Sequence, residues 1–526
     1  MDLIIRGAHI VDGDGGPRYF ADVGISAGRI AEIGHRLSAE RSIDAGGLVL
    51  APGFVDMHAH SDLQLLAEPD HTAKVSQGVT LEVIGQDGLS YAPVDDETLA
   101  TLRQQIAGWN DDPPGFDWNW RSVAEYLDRL DEGIATNAAY LVPQGTLRLL
   151  CAGYEDRPVT ADELDRMREV LAESLRQGAF GMSSGLTYTP GMYADTAELT
   201  ALCEVVAAHG GFYSPHHRSY GAGALQAYAE MLEVAERSGC PLHLAHATMN
   251  FGVNEGRASE LLTMLDRAID DGRDVTLDSY PYLPGATSLH ALLPSWAMAG
   301  GVSSTLDRLR DPGQRARIRH ELEITGSDGC HGVPVEWDTI VISGVREPGN
   351  AHLVGRSVAD AARAAAEQPT EFYLDVLINE QLGSSCLMHV GHEDNVRAIM
   401  RHRAHTGGSD GLLVGARPHP RSWGTFPRYL GHYVRETGVL ELEECVAHLT
   451  SRPADRLGLT DRGRIRAGNV ADLVLFDPDE VADTATFEEP RQQAAGIPHV
   501  LVGGVAVIQD GHRTDALPGR ALRKNR

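Results

Sequence analysis

Short apolar runs alternate with longer amphipathic stretches through the middle of this chain, and this alternation limits the folds open to it more than any other feature. Such a pattern is typical of repeated βα units around a parallel sheet. The eight candidate strands are residues 54–60, 79–85, 138–144, 179–185, 211–217, 241–247, 274–280 and the Gly-rich segment 405–410. Eight parallel strands predict an α/β fold of the TIM (β/α)8 barrel type.

Both ends of the chain contain short predicted strands broken by Gly and Asp turns. We expect residues 1–53 and 455–526 to pair in one small β-sandwich. The barrel then covers residues 54–282 and 347–454. Residues 283–346 are too long for an ordinary βα connection, so we expect an insertion near the barrel mouth, where lids and substrate loops lie.

The composition argues against several kinds of partner. The formal net charge is −29, and both nucleic acids and anionic membranes require concentrated Lys and Arg. No run approaches 18 apolar residues, and the first residues lack the basic and apolar regions of a signal peptide. The 6 cysteines form no CxxC pair, so neither a disulfide framework nor a thiolate zinc site is indicated. We expect a cytoplasmic protein without a nucleic-acid or membrane partner.

A histidine pair at the end of the first barrel strand is the strongest chemical signal. In a strand, side chains two residues apart point to the same face, so His58 and His60 can reach one metal ion. Such a pair is often structural when it occurs alone. Here it lies at the C-terminal mouth of the predicted barrel, where barrel enzymes assemble their active sites.

Other candidate ligands lie at the ends of later strands. Strand alternation places His246 on the inward face, whereas only one of His216 and His217 can point inward and the spacing does not decide which. Asp410 closes the last strand beside a glycine, a position that is often only a turn. Its functional interpretation therefore depends on the barrel.

Five motifs resemble the D-aminoacylase, or N-acyl-D-amino-acid deacylase, family of the amidohydrolase superfamily, and together they extend over nearly the whole chain. They are Gly53-Phe-Val-Asp-Met-His-Ala-His-Ser-Asp, Phe180-Gly-Met-Ser-Ser-Gly-Leu-Thr-Tyr-Thr-Pro-Gly, Tyr213-Ser-Pro-His-His-Arg, Asp278-Ser-Tyr-Pro-Tyr, and Gly408-Ser-Asp-Gly followed by His419-Pro-Arg-Ser-Trp-Gly-Thr-Phe-Pro-Arg. The resemblance implies a TIM barrel beside a small β-sandwich. It also implies a set of metal ligands: His58, His60, His216, His246 and Asp410. It thus selects His216 over His217.

The chain departs from this family at one expected ligand. The family usually has a metal-binding cysteine after strand two, and here Asp87 replaces it. A carboxylate can still ligate or bridge, but it is a harder donor than a thiolate. The alternative is that Asp87 only forms a turn and the site holds one ion. A bridging carboxylated lysine, found in the wider superfamily, is not expected, because the only lysines are Lys74 and Lys524 and neither is near the end of strand four.

The resemblance also implies substrate contacts. Arg421 and Tyr280 match positions that contact the amino-acid carboxylate, and a guanidinium can bind a carboxylate through two parallel hydrogen bonds. Arg218 and Tyr188 are further candidates. Where the family often has a lysine two residues after the strand-six histidine, this chain has Thr248.

These features predict a metal-dependent hydrolase that cleaves N-acyl-D-amino acids into a carboxylate and a free D-amino acid. The cofactor we expect is a divalent metal, with zinc first, as one or two ions, and Asp410 is the expected acid/base catalyst. The partner we expect is a small anionic substrate, and the sequence is compatible with a homo-oligomer. Two alternatives stay open: a cyclic amide or imide hydrolase or deaminase of the same superfamily, and a barrel that serves as a non-catalytic scaffold.

Overall fold

Eight parallel strands form a barrel in the computed structural model, which describes residues 1–524. They are β6 (Phe54–Asp56), β7 (Val79–Ile84), β8 (Asn137–Pro143), β9 (Gly181–Gly185), β10 (Phe212–His216), β11 (Leu242–Leu244), β12 (Val275–Ser279) and β16 (His405–Gly407). Neighbours in space follow chain order, and a parallel bridge between Ala59 and Gly411 joins the first strand to the last. The predicted TIM barrel is confirmed, and each of the eight strands overlaps one predicted segment.

Helices follow the strands and cover the outside of the barrel. They are α1 (Gln64–Ala67), α2 (Thr72–Val75), α3 (Asp96–Gln105), α4 (Ala107–Asn110), α5 (Val123–Leu130), α6 (Gln144–Ala152), α7 (Ala161–Arg176), α8 (Thr196–Ala208), α9 (Ala224–Ser238), α10 (Ala258–Asp270), α16 (Glu393–Met400), α17 (Arg421–Arg428), α18 (Leu442–Leu449) and α19 (Ser451–Leu457). Helix α7 shows why they form: Thr160 and Glu163 make a capping box at its start, and Met167 and Leu171 lie buried on one face.

Both chain ends contribute to one nine-stranded sheet. Its strands are β1 (Leu3–Ile10), β2 (Tyr19–Ser26), β3 (Arg29–Gly34), β4 (Arg41–Asp44), β5 (Val49–Pro52), β17 (Leu473–Phe476), β18 (His499–Val502), β19 (Val505–Gln509) and β20 (His512–Arg513). Strand β5 from the start of the chain pairs antiparallel with β17 from its end. Alternate residues of β17 enter different cores: Leu473 packs with the end strands, whereas Val474 packs with Phe426 of the barrel helices.

A third, smaller unit lies between β12 and β16. Its three strands are β13 (Gly285–Ser288), β14 (Ile340–Gly344) and β15 (Ser385–Met388), and its helices are α11 (Ser295–Met298), α12 (Gly301–Arg310), α13 (Pro312–His320), α14 (Val358–Ala365) and α15 (Pro369–Asn379). Strand β15 lies between the other two and pairs antiparallel with both. The small sheet therefore uses residues beyond position 346, the end we expected for the insertion.

The shorter helical turns complete the described structure. The 3-10 turns are Gly191–Tyr193, Gly252–Asn254, Leu289–Leu292 and Pro348–Leu353, and the π-helical segments are Glu321–Thr325 and Tyr429–Glu436. None of the helices within residues 1–524 combines the length and the apolar character needed to cross a membrane.

Candidate metal centre and substrate pocket

Six buried His and Asp side chains meet at the C-terminal mouth of the barrel, where the carboxyl ends of the parallel strands lie together. They come from five different strand ends, and they are His58, His60, Asp87, His216, His246 and Asp410. These six are the metal ligands that we expected from the sequence and the resemblance. The structure brings all of them together.

The first donor group consists of His58, His60, Asp87 and Asp410. The Nε2 atoms of His58 and His60 are 3.3 Å apart, and His58 Nε2 is 3.4 Å from Asp87 Oδ1. On the other side, His60 Nε2 is 3.2 Å from Asp410 Oδ1. One donor atom from each residue lies within 4.8 Å of every other, which is the spacing of ligands around a single ion.

The second donor group consists of Asp87, His216 and His246. His216 Nδ1 lies 3.0 Å from His246 Nε2 and 3.3 Å from Asp87 Oδ2, and His246 Nε2 lies 3.4 Å from Asp87 Oδ1. Asp87 thus belongs to both groups. Its buried Oδ1 has no hydrogen-bond partner, although buried polar atoms normally have one. A cation would satisfy that oxygen, so this donor set fits a divalent metal.

Three of these side chains have left-handed backbone conformations. The φ angles are +54° for Asp87, +29° for His246 and +48° for Asp410. Residues with side chains rarely adopt positive φ, and such strain is concentrated at functional sites. The turns after these strands therefore direct side chains into the mouth at a cost in backbone energy.

Two hydroxyl groups fix the orientation of the second donor group. Thr187 Oγ1 is 2.7 Å from His216 Nε2, and the Tyr220 hydroxyl is 2.9 Å from His246 Nδ1. Each contact occupies the ring nitrogen that faces away from Asp87, so the other nitrogen is free to ligate. Neither residue was predicted from the sequence, although Thr187 lies within a motif that carries the resemblance.

Asp278 links the two donor groups from below. Its Oδ1 accepts a hydrogen bond from the backbone N–H of His246 at 2.9 Å, and its Oδ2 lies 3.0 Å from His243 Nε2 and 3.7 Å from His58 Nδ1. Asp278 therefore holds the backbone of His246 and lies behind the ring of His58, whose Nδ1 makes no hydrogen bond. This role was not predicted from the sequence; the available signal was the position of Asp278 at the end of a barrel strand.

A fully buried ion cluster supports the floor of the site. Lys74 Nζ lies 2.6 Å from Asp56 Oδ2, 3.4 Å from Glu82 Oε2 and 2.8 Å from Ser409 Oγ. The Ser409 backbone N–H donates to Asp56 Oδ1 at 2.8 Å. Lys74 thus joins β6, which precedes the His58–His60 pair, to the turn that carries Asp410. It is not one of the six donors.

The electrostatics keep the carboxylates of the site ionised. Burial opposes ionisation of Asp410, but Arg421 and His60 outweigh it and lower its pKa to about 2. Burial would likewise lower the pKa of His60, but Asp410 and Asp87 outweigh it and raise that pKa to about 10. Around Asp87, the histidines of the second group overcome burial and hold the pKa well below its usual range. The carboxylates of Asp87 and Asp410 are therefore ionised at neutral pH, as metal ligation requires.

A cavity opens beside the donors. Tyr188, Tyr280 and Thr248 line it. Arg421 is completely buried, with its Cζ 4.4 Å from the centroid of the Tyr280 ring. Its Nη2 lies 2.8 Å from Asp410 Oδ2 in an ion pair, yet none of its side-chain nitrogens makes a hydrogen bond. Arg421 does not itself line the cavity, but Asp410 and Tyr280, which do, both contact its guanidinium.

Arg218, the remaining substrate candidate, is not brought to this pocket. Its Nε lies 2.8 Å from Glu230 Oε2 on α9, and its two terminal nitrogens donate to the carbonyls of Met192 and Ala194. The guanidinium is therefore used in a structural ion pair, and Arg218 does not line the cavity. Glu230 is 12 residues away in sequence, so the motif around His216 gave no sign of this pairing.

Comparisons with known proteins agree with this geometry. The sequence model of the amidohydrolase family matches residues 41–508. The N-acyl-D-glutamate deacylase of Alcaligenes xylosoxydans xylosoxydans is 37% identical over 534 residues, which cover 100% of this chain and 97% of that protein. The D-aminoacylase of the same organism is 35% identical over 531 residues, which cover 99% of this chain and 97% of that protein.

A solved structure is similar over the full length. The crystal structure of N-acyl-D-glutamate deacylase from Bordetella bronchiseptica, in complex with zinc and a phosphonate inhibitor that mimics the tetrahedral intermediate, is 33% identical in sequence. The TM-score is 0.85, and the match covers 100% of both chains. The likeness therefore extends to the barrel, the sheet of the chain ends and the small third unit.

Proposed function

Because this chain belongs to the amidohydrolase family, with N-acyl-D-glutamate deacylase and D-aminoacylase among its relatives, we propose that it hydrolyses the amide bond of N-acyl-D-amino acids. The products are a carboxylate and a free D-amino acid. One observation carries this proposal: two buried donor groups share Asp87 at the barrel mouth, beside a cavity whose lining residue Asp410 is paired with Arg421. We propose the D configuration because the relatives are named for D-amino-acid substrates.

We propose that the six donors hold a divalent metal, with zinc as the first candidate. A bound divalent cation supplies Lewis acidity for the amide carbonyl and lowers the pKa of water toward neutrality. His216, His246 and Asp87 would hold one ion, and His58, His60 and Asp410 would hold a second through the shared Asp87 carboxylate. Thr187 and Tyr220 would position the rings of His216 and His246, and Asp278 would hold the backbone of His246.

Asp410 is the acid/base catalyst in this proposal. Its carboxylate is ionised at neutral pH and lies at the edge of the cavity, so it can accept a proton from the attacking water. The same group can then deliver that proton to the leaving amine nitrogen. Arg421, at 2.8 Å, limits the basicity of Asp410 and fixes its orientation.

Arg421 and Tyr280 are the substrate-carboxylate contacts in this proposal. The Arg421 side chain is buried, has unused donors and is oriented by the Tyr280 ring. A guanidinium in this state can bind a carboxylate through two hydrogen bonds. Tyr188 lines the same cavity, and its hydroxyl is 2.9 Å from Thr287 Oγ1. We therefore propose that Tyr188 contacts the bound substrate. A scaffold protein would have no need to retain this complete set of donors.

We further propose that the partner is a small anionic molecule rather than a nucleic acid, and that the reaction takes place in the cytoplasm. The charge of −29 supports the first point. For the second, the six cysteines are all free within the described structure, as is usual in a reducing compartment.

The experiment is a hydrolysis screen on metal-analysed protein. N-acetyl and N-formyl derivatives of D- and L-amino acids are incubated with the enzyme as purified, after chelation, and after addition of Zn²⁺, Mn²⁺ or Co²⁺. We expect D-specific hydrolysis that chelation removes and metal restores. Activity confined to L-substrates or to cyclic amides would overturn the proposal, as would metal-free protein that retains full activity.

A further inference from the structure

The cavity beside the donors has one side built from apolar side chains. Four of them form what we call the apolar wall: Phe251, Leu292, Met388 and Val390. They come from the loop after β11 and from the small third unit, so they lie apart from the barrel strands that carry the donors. Leu292 is buried within the core of that unit.

The apolar wall also borders a second cavity. The same four residues line it, together with further apolar side chains that include Val333, Val335 and Ile340. Glu336 contributes a carboxylate to its lining, which also includes His389 and His392.

Positive charge is scarce around the first cavity. Among the described residues, no lysine or arginine lines it, and Arg421 is the cation beside it. In the proposed function Arg421 binds the α-carboxylate, so it is already used. Thr248 contributes a hydroxyl, and His331 is uncharged because burial lowers its pKa to about 3.

A second carboxylate on the substrate would therefore be desolvated without a partner, which is strongly unfavourable. An apolar side chain in the same place gains from leaving water. The two relatives compared above differ little in identity to this chain, at 37% and 35%, although one is named for an acidic amino acid. Overall identity does not decide the side chain, whereas the composition of the pocket does.

We propose that this enzyme acts on N-acyl-D-amino acids with neutral, apolar side chains, and that the apolar wall receives that side chain. This inference rests on the proposed function. It excludes D-glutamate and D-aspartate derivatives as preferred substrates, and it names the small third unit as the part of the chain that determines specificity.

The test compares three N-acetyl-D-amino acids of similar length on the metal-loaded enzyme: methionine, glutamine and glutamate. We expect kcat/KM to fall in that order, with methionine at least about 100-fold above glutamate, since an unpaired buried charge costs more than a neutral polar group. Equal or higher kcat/KM for glutamate would overturn the inference. Failure to hydrolyse any N-acyl-D-amino acid would instead overturn the proposed function, so the two failures are distinct.

A substitution tests the placement of the side chain. Met388→Lys keeps an unbranched side chain and adds a cation to the apolar wall, and Met388→Leu is the matched control. In Met388→Lys we expect the methionine-to-glutamate ratio of kcat/KM to fall at least 10-fold, whereas Met388→Leu, which adds no charge, should change that ratio by less. If Met388→Lys folds, as judged by circular dichroism, and the ratio is unchanged, the wall does not receive the side chain.

Discussion

Asp87 connects the two donor groups, because its two oxygens face His58 and His246 on one side and His60 and His216 on the other. A carboxylate in this position is a harder donor than the cysteine that the resemblance implies there. Each oxygen faces one histidine of each donor group, so we expect Asp87 to influence both metal preference and metal number.

Substitution of Asp87 tests its influence on metal preference and metal number. Asp87→Ala should leave substoichiometric metal and no measurable turnover, because both groups lose a ligand. Asp87→Cys should retain one ion and shift the preference toward Zn²⁺ over Mn²⁺, since a thiolate is softer. Metal content by elemental analysis, after dialysis against a chelator, distinguishes the two variants. Unchanged metal content in Asp87→Ala would mean that Asp87 only forms a turn.

Asp410 carries the proton transfers in the proposed reaction. Asp410→Asn should reduce kcat/KM by about 10²-fold or more, as expected for loss of a general acid/base group. The ion held by Asp87, His216 and His246 should remain, because Asp410 lies outside that group. Steady-state kinetics and metal analysis are the measurements, and the exposed Asp117→Asn is the control. Full activity in Asp410→Asn would remove Asp410 from the mechanism.

At the end of strand β10, two adjacent histidines face opposite sides of the strand. His216 faces the donors, whereas His217 faces the opposite side, with its ring centroid 4.1 Å from that of Tyr220 and 3.9 Å from that of Tyr228. Neither nitrogen of His217 makes a hydrogen bond. His217 is thus packed as an aromatic ring.

Substitutions of His216 and His217 provide a matched test of which histidine faces the donors. His216→Ala should lose the ion of the second donor group, whereas His217→Phe should keep metal content and kcat near those of the unsubstituted enzyme, because it preserves the aromatic packing. Elemental analysis and kinetics on both variants check this expectation. Loss of metal in a folded His217→Phe, with retention in His216→Ala, would reverse the assignment.

Helix α2 anchors the first barrel strand through Lys74. Removing this cation leaves Asp56 buried without its ionic partner, whereas Glu82 keeps His71 at 2.6 Å. Loss of one member of a buried ion pair typically costs about 3–5 kcal/mol. We expect Lys74→Met to lower the free energy of unfolding by that amount in a denaturant titration.

The chain contains its own control for this substitution. Lys524, the second of its two lysines, lies outside the cluster, and Lys524→Met should change the free energy of unfolding by less than about 1 kcal/mol. Equal effects of the two substitutions would show that the buried cluster does not stabilise the barrel.

At the scale of the whole molecule, the features that could be predicted from the sequence are those that depend on local repeats. Strand alternation placed His58 and His60 on one face, and the parallel arrangement placed the ends of different strands at one mouth. Together, these two rules predicted that His246 and Asp410 lie at the same mouth of the barrel. The choice of His216, and the importance of Asp87, needed the resemblance to a known family.

The rest depends on contacts between segments that are distant in sequence. Tyr220, in a loop, contacts His246, and Asp278 accepts a hydrogen bond from the backbone N–H of His246. Arg218 forms an ion pair with Glu230. Strand β15 joins a sheet that begins 100 residues earlier, at Gly285. No local pattern encodes these pairings, because they form only when the barrel and the third unit have packed.

The most direct test of the account uses racemic N-acetyl-methionine with one enzyme preparation, metal-loaded and chelator-treated. Chiral chromatography of the released amino acid measures both stereochemistry and extent. We predict that the metal-loaded enzyme stops at half conversion with D-methionine as the product, and that chelation abolishes the reaction until metal is restored. Release of L-methionine, or conversion that is unaffected by metal removal, would contradict a metal-dependent N-acyl-D-amino-acid deacylase.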